Sequence, residues 1–451
     1  MSSGQQDRGV EAHGESDTAP TAVTAALNPT TTAYGFHGYL AFPKEHRRGI
    51  ALCLSGGGYR AALFHLGALC RLNELGILSQ VDTITSVSGG SIIAAQLATH
   101  RRELGGEWPE PGARIPRWDE GVAEPLRAFV GHDIRTGAVL RRIVPNWLNK
   151  NASVEGLADR YAEGPAPGRL SDLPDHPRFV FCATNMQFRS QWVFDSGRRI
   201  VGDDQVGFQP LTDEWTLARA VAASSCVPGV FTPMQVETDP SALKDGVYRG
   251  ADRDELVRHM EIVDGGLYDN LGLEPVWRDH RVVLVSDAAP SFKPEPDIGV
   301  VTGMLRSILT LCEQATDVRK RWLVASLIEG ELEGAYWGIG SFPSSFDFDS
   351  EAYEPRLTAY SDDTIRDVLS QVRIDLDAFS DAEIAVLENH GYLMAEIAVR
   401  RHMPHLGQAP ACAPEVPHPE WMDDARVATT LEGSGVTRLF SRRFAAARRR
   451  R

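Results

Sequence analysis

Residues 50–61 read Ile-Ala-Leu-Cys-Leu-Ser-Gly-Gly-Gly-Tyr-Arg-Ala, and this stretch decides the fold. Ile50 to Leu54 is a short apolar run of the kind that forms a buried strand. The glycines break the run, and residues 59–75 then have the apolar spacing of a helix, with Gly76 where a helix-terminating glycine belongs. The stretch therefore predicts a strand that turns sharply into a helix.

The same order of elements follows at once. Residues 81–87 are short and β-branched, residues 88–90 interrupt them, and residues 91–100 again have helical spacing. Two strands joined by a helix form a βαβ unit, which makes a parallel sheet covered on both faces. The sequence thus predicts an α/β fold with a mostly parallel sheet flanked by helices.

The rest of the chain continues this pattern after an interruption. Residues 101–176 are rich in Pro, Gly, Trp and Arg, and we interpret them as an insertion or cap over the sheet whose role the sequence leaves open. Beyond it the spacing predicts strands at 178–183, 190–195 and 282–286, and helices at 216–223, about 304–322 and about 381–400.

The predicted organisation is one catalytic domain between two tails. Residues 1–40 are rich in small and polar residues and Pro without apolar periodicity, which predicts a disordered tail. The domain is predicted at 41–405. Residues 406–451 begin Pro-rich and end Arg-rich, which predicts a second tail.

Composition restricts the class of protein. The 451 residues include 46 Lys and Arg against 61 Asp and Glu, giving a formal net charge of -15, with 43% hydrophobic and 24% charged residues. These values are ordinary for a globular protein and exclude collagen-like, disordered and disulfide-scaffold chains. The acidic balance argues against a general nucleic-acid binder. The six dispersed cysteines, without a C-x-x-C pair, predict reduced thiols.

The expected location is cytoplasmic. The first twenty residues contain four acids and no apolar segment, so they do not resemble an export signal. No run of 18 apolar residues is present, so no transmembrane helix is predicted.

Three stretches stand where chemistry is expected: residues 55–60, 86–90 and 263–267. The first two lie where a strand gives way to a helix, at the carboxyl ends of the parallel strands, where open sheets bind ligands. Consecutive glycines let backbone N–H groups approach an anion. The bound group could be a phosphate or an oxyanion, and the alternative is a flexible turn without a ligand.

Ser88 is placed like the nucleophile of a strand-to-helix elbow. The full pattern is G-x-S-x-G, in which Gly90 fits while Ser86 replaces the first glycine. Taken alone, this turn would more often be a helix N-cap, but the upstream glycine loop favours a nucleophile. A serine needs a base to remove its proton and donors for the developing oxyanion. Asp264 could be that base, with three competing carboxylates at Asp195, Asp269 and Asp287.

In this order the motifs resemble the patatin-like phospholipases. They are the glycine loop 56–58 with Arg60, the Ser88 elbow, and Asp264 followed by two glycines. The resemblance covers about residues 48–290. Residues 55–61 are also similar to the related cytosolic phospholipase A group, and 220–228 and 267–272 are similar to stretches that flank the dyad aspartate in the family.

The resemblance implies a three-layer sandwich and hydrolysis of carboxylic esters of phospholipids or related acyl lipids through an acyl-serine, without a cofactor or metal. It implies a dyad of Ser88 as nucleophile and Asp264 as base, whose pKa should rise in a partly dry cleft. The amides of Gly57 and Gly58 would form the oxyanion hole. The resemblance and the glycine-rich turns place three residues near the substrate: Gly56, Arg60 and Gly89.

Three alternatives remain at the sequence level. A nucleotide-binding unit fits the G-x-G-x-x-A spacing, although Ser88 stands where such a unit has an acid. A carboxylesterase with a Ser-His-Asp triad is open because His280 and His390 follow Asp264. The departure at Ser86 leaves open an inactive patatin-fold binding protein.

The C-terminus predicts a separate contact with lipid. Seven arginines gather without an acid at Arg438, Arg442, Arg443 and Arg448 to Arg451, so positive charge is segregated from the acidic remainder. They could form a short basic amphipathic helix that makes peripheral contact with an anionic membrane, or a solvated end. The expected partner is therefore an acyl lipid or membrane surface and no nucleic acid, and the sequence leaves the oligomeric state open.

Overall fold

The computed structural model describes residues 44–105, 108–137, 151–289, 300–346, 357–407 and 413–435. The predicted N-terminal tail and the Arg-rich end lie outside these residues. No helix in the described ranges is both long and apolar enough to cross a bilayer.

One mixed sheet organises the described residues. Its strands are β1 (Ile50–Leu54), β2 (Thr83–Val87), β3 (Arg178–Asn185), β4 (Ser190–Asp195), β5 (Ile200–Asp203), β6 (Gly207–Pro210), β7 (Met234–Val236), β8 (Lys244–Asp245), β9 (Met260–Asp264), β10 (Val282–Asp287) and β11 (Glu333–Gly338). Their order is β11-β10-β1-β2-β3-β4-β5-β6-β8, while β9 pairs with β3 and β7. The five strands from β11 to β3 are parallel, and the remaining pairings are antiparallel.

The helices cover both faces of this sheet. They are α1 (Gly58–Glu74), α2 (Gly89–Glu103), α3 (Glu124–Val130), α4 (Ala152–Ala162), α5 (Leu217–Ser225), α6 (Arg253–Arg258), α7 (Gly266–Asp269), α8 (Val300–Ile328), α9 (Asp362–Asp367), α10 (Asp381–His402) and α11 (Asp424–Thr430). The predicted class, an α/β sheet flanked by helices in three layers, is confirmed.

Alternation along β1 explains the three layers. Leu52 and Leu54 pack into the large core with α1 and α10, while Ala51 and Cys53 face a second cluster that includes Leu323 of α8. Because successive side chains of a strand point to opposite faces, one apolar strand supplies both cores. β1 is therefore buried along its whole length.

Helices α1 and α10 cross closely at two glycines. A Cβ at Gly67 would collide with the Glu388 carbonyl, and one at Gly391 would collide with the Phe64 carbonyl. Close backbone approach fixes α1, and hence the glycine turn at its N-terminus, against a helix from the far end of the domain. The five described cysteines carry free thiols.

The insertion packs onto the helical layer. Val122, Leu126 and Val130 are buried in the large core, and Arg127 forms two hydrogen bonds with Glu388 of α10 at 2.9 and 2.6 Å. The predicted insertion therefore belongs to the same folded unit as the sheet.

Part of the predicted C-terminal tail also packs against the domain. His418 donates its N–H to Asn389 Oδ1 at 2.9 Å, and Asn389 Nδ2 donates to the His418 carbonyl at 2.7 Å. Val427 of α11 is fully buried. The prediction of a tail is wrong for residues 413–435. It rested on their prolines, but an extended Pro-rich segment can still form hydrogen bonds between its backbone and side chains of α10.

Candidate active site

Strand register brings Ser88 and Asp264 together. β2 pairs with the first half of β3, where Val87 faces Cys182, and β9 pairs with the second half, where Asp264 faces Ala183. The other edge of β3 is occupied by β4, so β2 and β9 share one edge and meet end to end. Ser88 follows directly after β2. The two residues therefore lie at one break in the sheet although 176 positions separate them in the sequence.

Ser88 occupies a strained elbow. Its φ of 50° and ψ of -116° are unusual for a residue with a side chain, and it is the residue that precedes α2. Such a turn exposes a serine hydroxyl above the sheet instead of along a strand. The side chain is 6% exposed and lines a cleft.

A buried serine network supports this elbow. The Ser88 N–H donates to Ser224 Oγ at 2.9 Å, and the Ser224 hydroxyl donates to the Cys182 carbonyl at 2.7 Å. Ser91 links the same network to Ser86, with Oγ–Oγ distances of 2.9 and 3.0 Å. The serine that departs from the elbow pattern at position 86 therefore has a buried hydrogen bond, and Ser224 holds the strained turn.

The glycine loop presents free donors beside Ser88. Gly57 has φ 145° and Gly58 has φ 61°, and a Cβ at either would lie within 2.8 Å of a main-chain oxygen. The Gly56 N–H donates to the Asn270 carbonyl at 3.1 Å. Among the described residues, neither the Gly57 N–H nor the Gly58 N–H has an acceptor. These two donors, at the N-terminus of α1, form an arrangement that suits an anion.

The Ser88 elbow and the glycine loop are in direct backbone contact. A Cβ at Gly89 would collide with the carbonyl of Gly58, and one at Gly90 would collide with the carbonyl of Leu54. Glycine is required at both positions because the glycine loop passes directly over the start of α2. The spacing between the nucleophile and the loop is thus fixed by backbone contact.

Asp264 is a buried carboxylate with one unused oxygen in the described ranges. Its Oδ1 accepts the Gly266 N–H at 2.7 Å, while Oδ2 is buried without a hydrogen-bond partner in the described part of the chain. Burial raises the pKa of Asp264 to about 6, partly opposed by the Gly266 N–H and the Ser88 side chain. The contact with Ser88 is loose, since no pair of their atoms meets hydrogen-bond geometry although Ser88 is near enough to lower this pKa. Such contacts often tighten only when substrate binds.

The three competing carboxylates are all committed elsewhere. Asp195 is paired with Arg178 at 2.7 Å, and Asp269 accepts backbone N–H groups of the turn that follows it. Asp287 accepts Lys320 Nζ at 2.6 Å and the Tyr336 hydroxyl at 2.7 Å. None of the three lines the cleft.

The cleft itself has a volume of about 590 Å³ and a largely apolar wall. It brings Ser88, Asp264 and the glycine loop to one surface. Its apolar residues could accommodate hydrocarbon and come from four parts of the chain: Val227, Val230, Phe231, Leu267, Ala289, Ile374 and Leu376.

Two expected substrate contacts do not line the cleft. Arg60 is 2% exposed, and its guanidinium donates to the carbonyls of Ala288 at 2.7 Å and Val372 at 2.9 Å. It ties the glycine loop to two other segments. Gly89 lies beneath the loop, whereas Gly56 does line the cleft.

No histidine lines the cleft among the described residues. His280 hydrogen-bonds Thr83 Oγ1 at 2.9 Å at the start of β2, which is the opposite end of the strands from Ser88. His390 contacts the Ile339 carbonyl at 2.8 Å, and burial lowers its pKa to about 4. His65 bonds Ser286 Oγ at 2.8 Å and the Ser55 carbonyl at 2.9 Å, and burial lowers its pKa to about 4.

Several cleft residues were not predicted from the sequence. Arg135 comes from the insertion, and Cys312, Thr316 and Lys320 come from α8. These segments carry no motif, and only the tertiary fold places them at the cleft. Ser224 and Asn270 do lie inside the stretches similar to the family, but their hydrogen bonds with the elbow and the loop require coordinates to identify.

The site thus combines a serine at a strained strand-to-helix elbow, a buried aspartate whose Oδ2 has no hydrogen-bond partner in the described ranges, and two amide donors without acceptors there. Residues 52–277, about half of the chain, match the family described as patatin-like phospholipase. The chain belongs to this family.

Solved structures also resemble the chain. Human GIVD cytosolic phospholipase A2 is 12% identical, with a TM-score of 0.37, over 56% of this chain and 50% of that one. VipD from Legionella pneumophila is 14% identical, with a TM-score of 0.33, over 86% of this chain and 75% of that one. The match thus spans about half the length of the human enzyme. The comparison with curated proteins gave no significant match.

Proposed function

We propose that this protein is a lipid acyl hydrolase that cleaves carboxylic ester bonds of phospholipids or related acyl lipids, with Ser88 as nucleophile and Asp264 as base. The observation that carries the proposal is the buried, partnerless Oδ2 of Asp264 at the strand break that also holds Ser88. A buried carboxylate oxygen without a partner is costly and indicates a proton-transfer role.

The reaction would run through an acyl-serine. Asp264 takes the Ser88 proton as Oγ attacks the ester carbonyl, and the N–H groups of Gly57 and Gly58 stabilise the oxyanion. Collapse of the tetrahedral intermediate breaks the ester bond, and the leaving alcohol takes the proton from Asp264. Water, deprotonated by Asp264, then attacks the acyl-serine carbonyl. The bond to Ser88 Oγ breaks, Oγ takes the proton back from Asp264, and the fatty acid is released.

A dyad is favoured over a triad. The described cleft contains no histidine, and His280 lies at the other end of the strands. An aspartate with an ordinary pKa would be a weak base, but one with a pKa of about 6 is a usable acceptor near neutral pH. The patatin family and the apolar cleft wall support a lipid substrate.

The test compares fatty acid release from phosphatidylcholine with hydrolysis of p-nitrophenyl butyrate. Ser88→Ala and Asp264→Asn are expected to lose at least about 10³-fold in kcat on both substrates, since a nucleophile and its base act in every turnover. Ser153→Ala, a change in a buried serine that lies outside both the cleft and the serine network of the elbow, is the matched control and should retain most of the activity.

The alternatives predict other outcomes. Full activity in Ser88→Ala would overturn the proposal. A loss in His280→Ala equal to that of Ser88→Ala, with unchanged thermal stability, would favour the triad. Absence of hydrolysis of any ester by a folded wild-type protein would favour the inactive binding protein.

Peripheral membrane contact through Arg438, Arg442, Arg443 and Arg448 is a separate proposal, because these residues lie outside the described ranges. Clustered arginines next to an anionic surface gain about 1 kcal/mol each. Liposome co-sedimentation of the full chain and of a chain ending at residue 435 should differ on anionic vesicles only. Equal binding would contradict it.

A further inference from the structure

Arg135 is a buried cation in the wall of the cleft. It comes from the insertion, where the N–H groups of Ile134 and Arg135 reach the Leu376 carbonyl at 3.2 and 3.4 Å. Its side chain is 5% exposed and lines the same cleft as Ser88. The insertion thus delivers a positive charge to a site whose motifs lie elsewhere in the sequence.

The guanidinium of Arg135 is incompletely satisfied. Its Nη1 pairs with Asp375, but its Nε is buried and has no acceptor in the described ranges. By contrast, Arg127 in the same insertion makes two hydrogen bonds with the Glu388 carboxylate. A buried arginine with unused donors lacks an acceptor, and a bidentate anion supplies one.

Arg135 lies close to the glycine loop. The Asp375 carbonyl accepts the Tyr59 N–H at 2.9 Å, and a Cβ at Gly58 would lie 2.7 Å from that oxygen. Asp375 therefore connects the two: its carboxylate pairs with Arg135, and its carbonyl contacts the glycine loop. The phosphate of a glycerophospholipid lies only a few bonds from the ester carbonyl, so both groups could be held in one cleft.

Another part of the cleft lining is acidic. Glu313 and Asp317 lie one turn apart on α8, and both line the cleft. Lys320, which also lines it, is paired with Asp287 at 2.6 Å. A head group with only negative charge would meet repulsion from this wall, whereas one with an ammonium group beyond its phosphate would be attracted.

We propose that Arg135 binds the phosphate of the substrate and that Glu313 and Asp317 face its ammonium group, so that the cleft selects zwitterionic glycerophospholipids. Arg60 is not placed to take the phosphate, because it does not line the cleft and both of its Nη groups donate to main-chain carbonyls. This inference rests on the proposed acyl hydrolase activity and names its substrate class.

The test uses soluble short-chain substrates, so that binding to a vesicle surface does not enter. They are diheptanoyl phosphatidylcholine, diheptanoyl phosphatidylglycerol and p-nitrophenyl butyrate, which has no phosphate. Arg135→Gln should lower kcat/KM for the choline lipid roughly 10–100-fold, the effect of losing a charge-assisted hydrogen bond, and leave p-nitrophenyl butyrate within about 3-fold. Arg135→Lys keeps the charge without the fork and should be intermediate.

Two further variants complete the test. Glu313→Gln combined with Asp317→Asn should shift the preference from the choline lipid toward the glycerol lipid. Arg127→Gln removes a half-buried arginine of the same insertion that lies outside the cleft, and it should not change the ratio between substrates. Thermal unfolding of every variant separates lost recognition from lost fold.

The outcomes are distinguishable. An equal loss on the choline lipid and on p-nitrophenyl butyrate in a folded Arg135→Gln protein would assign Arg135 to positioning the glycine loop and overturn the inference. An unchanged choline-lipid activity would also overturn it. Lack of wild-type activity on all three substrates would instead contradict the proposed function.

Discussion

Ser88 and Asp264 both weaken the fold at the place where they would act. Ser88 holds a positive φ that costs about 1–3 kcal/mol for a residue with a side chain. Asp264 keeps a carboxylate in a buried position without a full set of partners. Residues that serve only the fold rarely combine such costs, and this combination supports the catalytic roles proposed for the pair.

The pKa of Asp264 gives a stability prediction with a definite sign. The pKa is about 6 in the folded protein and 3.8 in an unperturbed aspartate, so the folded state binds the proton more tightly. Below about pH 4 the carboxyl is protonated in both states and carries no ionisation cost. As the pH rises from 4 to 7, the unfolded chain ionises first and stability falls.

Asp264→Asn is therefore expected to stabilise the protein at pH 8 by about 2–3 kcal/mol while abolishing activity. The gain should vanish near pH 4, and urea unfolding at the two pH values measures it. Asp287→Asn is the matched control of opposite sign. Burial would raise the pKa of Asp287, but Lys320 and the Tyr336 hydroxyl hold it below its ordinary value, so this change should destabilise at pH 8. A stability loss in Asp264→Asn at pH 8 would contradict the account.

Ionisation of Asp264 should also appear in the kinetics, with the opposite sign. Only ionised Asp264 can accept the Ser88 proton, so kcat/KM is expected to rise through a pKa of about 6 as the pH increases.

The sequence predicted the site position of a residue only where the backbone conformation restricts which residue type can stand there. Gly57 and Gly58 stand in the glycine run because their φ values and close contacts exclude other residues, and Ser88 stands at the turn they neighbour. Arg60 belongs to the same motif, yet the sequence could not show that carbonyls from residues 288, 370 and 372 would surround it. Arg135 lies in no sequence motif, so the sequence offered no reason to place it at the site.

At the scale of elements, helix α8 is the part of the site most dependent on ion pairs. Lys320 is paired with Asp287, and Arg319 approaches Glu274 at 3.5 Å and Asp269 at 3.7 Å. These contacts hold the helix at the carboxyl ends of the strands, where its residues line the cleft. Leu323 adds an apolar contact between the same helix and the second core cluster.

Lys320→Met should therefore destabilise the protein by about 2–3 kcal/mol, because it leaves the Asp287 carboxylate buried without its cation. Adding Asp287→Asn should recover part of this loss, and a double-mutant cycle in urea measures the coupling. Arg321→Met, an exposed neighbour on the same helix, should stay within about 0.5 kcal/mol of wild type. Equal effects of the two single changes would show that the ion pair does not hold the helix.

The sequence predicted the bounds of strands that have a continuous apolar run or a clear alternation. Strands without either pattern were not predicted. β1 and β4 match their predicted ranges, because burial on both faces or clear alternation leaves a strong pattern. β11 reads Glu-Gly-Ala-Tyr-Trp-Gly and has neither pattern. β9 was predicted only as a motif around Asp264, although its antiparallel pairing with β3 is what brings that residue to Ser88.

At the scale of the whole molecule, the C-terminal segment closes the domain. Residues 413–435 hydrogen-bond to α10 through Asn389 and Tyr392, and the Arg373 N–H donates to the Ser434 carbonyl at 3.0 Å. Arg373 also pairs with Glu383 at the start of α10. The segment therefore stabilises the helix that packs on α1 and, through it, the glycine loop.

A chain ending at residue 435 should keep wild-type thermal stability, whereas one ending at residue 405 should lose it. Should the shorter chain not fold, Val427→Ala gives a graded readout, with an expected loss of about 2 kcal/mol for two methyl groups removed from a buried site. Wild-type stability of the chain ending at residue 405 would contradict the packing of this segment.

The net charge of the whole molecule differs from the charge of the cleft. The formal charge of -15 would repel anionic lipid from most of the surface, and the cleft holds both signs within a small volume. The overall balance could be predicted from composition, but the presence of Arg135 and Glu313 in one cleft follows from the tertiary packing of the insertion and α8.

The central claim is that Ser88 becomes covalently acylated, and trapping of that residue tests it most directly. The protein is incubated with an alkyl fluorophosphonate, digested, and mapped by peptide mass spectrometry. The account predicts a single adduct on the peptide that contains Ser88, none in Ser88→Ala, and slower labelling in Asp264→Asn. An active wild-type protein that carries no adduct on Ser88, or a Ser88→Ala protein that still hydrolyses esters and is labelled elsewhere, would contradict it.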